Sequence, residues 1–122
     1  KTDLSWSVRR GVARSPASTA DILDHLAADR IQDVRAAVAS NPKTPASALT
    51  SLAADRDVEI RAAVASNPGA DAETLALLSR DWAWKVREGV AKNPATPEEL
   101  VRSLAGDPDQ SVKKAARSRL EV

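Results

Sequence analysis

The stretch VRAAVASNP, Val34 to Pro42, returns 26 residues later as IRAAVASNP, Ile60 to Pro68, identical over the eight residues from Arg61 onward. The same step yields VRRGVARSP at Val8 to Pro16, VREGVAKNP at Val86 to Pro94, and an altered copy, VKKAARSRL, at Val112 to Leu120. A fixed period held over a whole chain confines it to a solenoid, in which each unit buries its apolar face only against its neighbours. Asp recurs at the same step, at Asp3, Asp29, Asp55, Asp81 and Asp107. The chain is therefore one repeat domain, residues 1–122, made of units 3–28, 29–54, 55–80 and 81–106 and a partial unit 107–122.

Inside a unit the apolar positions fall at i, i+3 and i+4, as in Val34, Ala37 and Val38, which is one face of a helix. The i+3 position is always small (Gly11, Ala37, Ala63, Gly89, Ala115), and Ala13, Ala39, Ala65 and Ala91 are constant in the full units. Small residues held in register imply closely stacked helices, where a larger side chain would overpack the contact. Asn41-Pro42, Asn67-Pro68 and Asn93-Pro94 end the helix, because the residue before Pro is pushed out of the α region and Asn tolerates the left-handed conformation. Thr44-Pro45 and Thr96-Pro97, with Ser18-Thr19 and Ala70-Asp71 in the other units, read as the start of a second helix. Thr would cap its free amides and Pro would occupy its first position. Each unit thus predicts two helices of about two to three turns, marginal alone in water and dependent on their neighbours. In the last unit Ala116, Arg117 and Arg119 replace the second Val, the constant Ala and the Asn, as expected of a terminal cap with a solvated face.

Composition removes several classes of function. There is no cysteine, so disulfides, iron–sulfur clusters and cysteine-ligated zinc are excluded. With 18 basic and 17 acidic residues the net charge is +1, which gives no overall attraction for nucleic acid or a membrane surface. No apolar run reaches the roughly 18 residues of a spanning helix, and no signal peptide opens the chain. A cytoplasmic location is expected. The start at Lys1 points to a fragment or a processed product.

The pattern Asp-x5-Arg-x-x-Val-Ala-x-Asn-Pro-x-Thr-Pro-x-x-x-Leu-x-x-Leu-Ala, carried most fully by Asp29 to Ala53, resembles the leucine-rich-repeat variant family. The resemblance implies an all-α fold, a right-handed superhelix in which an α-helix alternates with a shorter, often 3₁₀-type helix. It implies a binding or scaffolding surface rather than a reaction, and it brings no ligand residues, cofactor or metal.

An acidic and a basic residue stand six apart in every unit: Asp3/Arg9, Asp29/Arg35, Asp55/Arg61, Asp81/Arg87 and Asp107/Lys113. A rail of Arg for phosphates is one reading. A carboxylate matched to every Arg cancels that field, so we favour a structural ladder similar to that of HEAT repeats, in which each Asp caps the following helix and meets Arg of its own or the adjacent unit. Asn41, Asn67 and Asn93 read as a second ladder that satisfies backbone groups between units.

Candidates for a surface lie off these rows. Trp6, Trp82 and Trp84 fall in the Asp-led loops, in registers that elsewhere take Gln, Arg, Val or Pro, and are expected to be partly exposed; exposed Trp is a common interface anchor. On the first helix the outward registers are Arg10 and Arg14, Ala36 and Ser40, Ala62 and Ser66, and Glu88 and Lys92. His25 stands alone and is expected at the surface, where one imidazole builds no metal site. The expected function is a non-catalytic protein-binding or scaffolding module, part of a longer protein, whose partner is another protein or a second copy, with no membrane. The alternative is nucleic-acid binding through Arg10, Arg14 and the basic residues Lys113, Lys114, Arg117 and Arg119 of the last helix.

Overall fold

The computed structural model describes residues 5–121. Asp3 and Leu4, and with them the Asp3/Arg9 pairing, lie outside these residues. Among the described residues all regular structure is helical, in nine helices that alternate long and short. The long helices are α1 (Trp6–Arg14), α3 (Gln32–Ser40), α5 (Val58–Ser66), α7 (Trp84–Lys92) and α9 (Gln110–Leu120). The short ones are α2 (Ala20–Leu26), α4 (Ala46–Leu52), α6 (Ala72–Leu78) and α8 (Glu98–Leu104). Each long helix packs on the next long helix, α1 on α3, α3 on α5, α5 on α7 and α7 on α9, as a solenoid requires.

The period places the core. Val34, Ile60, Val86 and Val112 are fully buried, and so are Val38, Val64 and Val90 one turn later. Leu23, Leu49, Leu75 and Val101 close the layer from the short helices. The constant Ala row, Ala13, Ala39, Ala65 and Ala91, is also fully buried. Gly89 shows why its register stays small: a Cβ there would lie 2.9 Å from Ala65 Cβ and 3.0 Å from Ser66 Oγ.

The short helices are α-helical rather than 3₁₀. The tighter geometry is confined to their ends, where Ala28 N–H bonds His25 C=O and Asp29 N–H bonds Leu26 C=O, both i to i−3, with the same pair repeated at Ala54 and Asp55, Arg80 and Asp81, and Gly106 and Asp107.

Two helix-end expectations are corrected. Asn41, Asn67 and Asn93 end the long helices in extended backbone, with φ of −81°, −81° and −72°; no non-glycine residue among those described is left-handed. The following Pro suffices to stop the helix. Thr44 and Thr96 do not cap the short helices. Their hydroxyls donate backward to the Val38 and Val90 carbonyls, at 2.6 and 2.7 Å, and so close the C-termini of α3 and α7. Pro45 and Pro97 stand at the cap positions of α4 and α8, with no side-chain cap bond. Where the register changes, true caps appear, from Thr19 to Ile22 N–H and from Asp71 to Thr74 N–H.

Candidate partner-binding surface

The two polar rows account for most of the periodic chemistry. Arg35 Nε donates to Asp55 Oδ2 at 2.7 Å, Arg61 to Asp81 at 2.8 Å, Arg87 to Asp107 at 2.8 Å, and Arg9 to Asp29 at 2.6 Å. The carboxylate that meets each Arg therefore belongs to the next unit. The six-residue pairing within a unit is made through the backbone instead: Arg35 Nη1 donates to the Asp29 carbonyl, Arg61 to that of Asp55, and Arg87 to that of Asp81. Asp29, Asp55, Asp81 and Asp107 do not cap the helices directly either. Each accepts the amide two residues on, Ile31, Asp57, Ala83 or Asp109, which is itself the cap residue.

Burial opposes ionisation of Asp29, Asp55 and Asp107, but the Arg hydrogen bond, the accepted amide and the cation's field together outweigh it and hold all three below the ordinary 3.8. The Asp81 hydrogen bond, against an opposing burial effect, raises Arg61 above its already high value. These are compensated ion pairs rather than a phosphate rail.

The Asn row is equally occupied. Asn41 Nδ2 donates to the Ala13 and Ser15 carbonyls, Asn67 to those of Ala39 and Asn41, and Asn93 to those of Ala65 and Asn67, at 2.8 to 3.2 Å. Their Oδ1 atoms accept the amides of Lys43, Gly69 and Ala95. In the last unit Arg119 takes over this row, donating to the Ala91 and Asn93 carbonyls at 3.1 and 2.7 Å. Sequence reading missed this role, although the signal was available, since Arg119 stands one step after Asn93. Arg117 Nε reaches the Ala105 carbonyl at 3.3 Å. Of the basic terminal cluster, only Lys113 and Lys114 make no hydrogen bond or ion pair among the described residues.

The candidates outside the rows fall into three groups. Trp6 and Trp84 open α1 and α7 instead of lying in loops, and are 42% and 44% exposed. Trp6 lies under the Arg10 guanidinium, 5.1 Å from the ring centroid. Arg10 and Arg14 line a groove of about 320 Å³ whose floor is Ala36, Ala37 and Ser40, with Asp33 also in its wall. Glu88 and Lys92 sit on α7 and pair with each other at 3.4 Å. The outward register is partly corrected here. Arg14, Ser40, Ser66 and Lys92 are exposed, whereas Arg10, Ala36, Ala62 and Glu88 are half-buried, because that row also leans on the next long helix.

Trp82 forms the third group. It is 80% exposed, the most of any large apolar side chain described, and its ring sits 5.7 Å from the Arg61 guanidinium carbon. One and two steps back in its register stand Arg56 and Arg30, both exposed and both beside a groove that includes Asp29 and Asp55. These two arginines were not singled out from the sequence. Their shared register follows from the 26-residue period; the structure adds the groove they line between adjacent loops. His25 is exposed, as expected. Among the described residues no group of His, Asp or Glu is placed to hold a metal ion, and no helix is long and apolar enough to cross a membrane.

A stack of alternating long and short helices tied by Arg–Asp and Asn ladders defines an α-helical solenoid. The profile of the family described as leucine rich repeat variant matches residues 33–57, 58–81 and 84–109, together more than half of the chain. The chain belongs to that family. A solved structure titled as a leucine-rich repeat variant with a novel repetitive structural motif superposes with a TM-score of 0.54 at 24% identity, covering 96% of this chain and 67% of that one. At that identity the likeness concerns the fold. No curated protein matches the chain.

Proposed function

We propose that this chain is a non-catalytic scaffold that binds a protein segment along the edge where the Asp-led loops line up, with Trp82 as the anchor. The observation that carries this reading is Trp82 itself. A large indole, 80% exposed, rests on a guanidinium that Asp81 and the Asp55 carbonyl already hold in place. A rigid aromatic offered on a fixed base costs little ordering entropy when a partner closes over it. Arg56 and Arg30 continue the edge and would favour acidic residues beside the aromatic contact.

The test is selection of binders from a displayed random-peptide library, followed by titration of the winners against Trp82→Ala. The proposal expects winners that lose about 2 kcal/mol or more on the variant, while the variant's melting curve changes little. Winners indifferent to Trp82 would defeat it. Nucleic-acid binding through Arg10, Arg14 and the basic terminal helix α9 is the competing reading. A duplex DNA titration whose affinity falls steeply with salt would favour it.

A further inference from the structure

The first unit keeps the interior sequence but not the interior surroundings. Val8 is 48% exposed, whereas Val34, Ile60, Val86 and Val112 in the same register are fully buried. In the short-helix layer Ile22 is 42% exposed, while in its register Ala48 and Thr74 are buried and Leu100 is half-buried. A Cβ built on Gly11 meets nothing within 4 Å, although one on Gly89, in the same register, presses on Ala65, Ser66 and the Ala62 carbonyl. Both layers thus leave open, at one end, the face that every later unit presses against its predecessor.

The other end is closed. Gln110, Lys113, Lys114, Arg117 and Ser118 occupy the registers of Val58, Arg61, Ala62, Ala65 and Ser66, the side from which α5 receives α7. Arg117 stands where Ala39, Ala65 and Ala91 are fully buried. A second copy cannot cover the open end with its closed one, because a guanidinium would have to enter a space sized for a methyl group. Each interior face of this kind receives a long helix with Ala at the register of Ala65 (Ala13, Ala39, Ala65 and Ala91), whereas the registers of Ala62 and Ser66 vary and carry Arg10 and Arg14 in the first unit and Glu88 and Lys92 in the fourth.

We propose that the face formed by Val8, Gly11 and Ile22 is a stacking site for one further two-helix unit of the same repeat, carried ahead of it on the same polypeptide. Ser15 fits this role. It stands in the Asn register, and its Oγ accepts the Ala17 amide at 3.1 Å as Asn41 Oδ1 accepts that of Lys43. Its hydroxyl proton can then serve one carbonyl of the incoming helix, where Asn serves two. This face is independent of the Trp82 edge, since it completes the stack and is not part of the surface that the stack offers to a partner.

The experiment inserts a copy of Asp29–Ala54 between Thr2 and Asp3, so that its junction with Asp3 repeats the natural Ala54–Asp55 junction, and compares urea unfolding with that of the original chain. A stacked unit predicts one cooperative transition with a higher midpoint and a steeper denaturant dependence. Gly11→Leu separates stacking from tethering. It should leave the midpoint of the original chain unchanged or raised, and lower that of the extended chain. An unchanged midpoint on insertion, or the same sign for Gly11→Leu in both chains, overturns the proposal. So does a dimer of the original chain in sedimentation that Val8→Glu disperses, which would assign the face to a second copy.

Discussion

At the scale of the residue, the Asn row shows how one side chain does three jobs. Asn67 satisfies the Ala39 and Asn41 carbonyls across the unit boundary and the Gly69 amide within its own turn. Asn67→Ala leaves buried acceptors without donors, and should cost about 2–3 kcal/mol in denaturant unfolding. Asn67→Asp keeps the acceptor but removes both donated bonds, and should not restore the loss. The two glycines of the small row make a second contrast. Gly11→Ala should stabilise by about 0.5–1 kcal/mol, since a helix-interior glycine is replaced in open space. Gly89→Ala should be net destabilising in the same assay, because its methyl must displace the Ala65 and Ser66 side chains.

At the scale of the element, short helices persist here through closure of their ends as much as through their apolar stripes. Thr44→Val should destabilise by about 1 kcal/mol, by freeing the Val38 carbonyl at the end of α3, and thermal melting of the pair would show it. The turn carboxylates make the units sensitive to acid. Asp29, Asp55 and Asp107 ionise below the ordinary 3.8 when folded, so their contribution is complete above about pH 4. As the pH falls below the unfolded value the unfolded chain takes up protons first, and the contribution is lost through the lower folded values. Melts between pH 2 and pH 7 should therefore show a steep acid limb, shallower in Asp55→Asn.

The helices themselves were legible because i, i+3, i+4 spacing has one structural meaning. Their caps were less so. A hydroxyl between two helices can close the one behind or start the one ahead, and only the packed geometry sends Thr44 backward. The same holds for Ala62, which a helical wheel turns to solvent and the neighbouring α7 half-covers.

At the scale of the whole molecule, the period fixes the stacking, and the departures from the period mark what is special. Arg119 rebuilds the Asn ladder at the closed end, Gly11 and Val8 leave the other end open, and Trp82 follows Arg30 and Arg56 in the row at the loop edge. The candidate anchor was legible as an oddity in its register, and Arg30 and Arg56 as residues that share it; the groove they line with Asp29 and Asp55 exists only in three dimensions. Trp82→Ala removes a stack on Arg61 that is worth about 0.5–1 kcal/mol at an exposed site, too little to disturb the fold. The repeated charges hold adjacent units together instead of waiting for a ligand. The most direct test of that role is a double-mutant cycle on Arg61 and Asp81, read by denaturant unfolding. Arg61→Ala and Asp81→Ala should each cost about 3 kcal/mol, with the double variant losing clearly less than both together, a coupling of about 1–3 kcal/mol. Single variants that unfold like the parent, or losses that simply add to within about 0.5 kcal/mol, would contradict it.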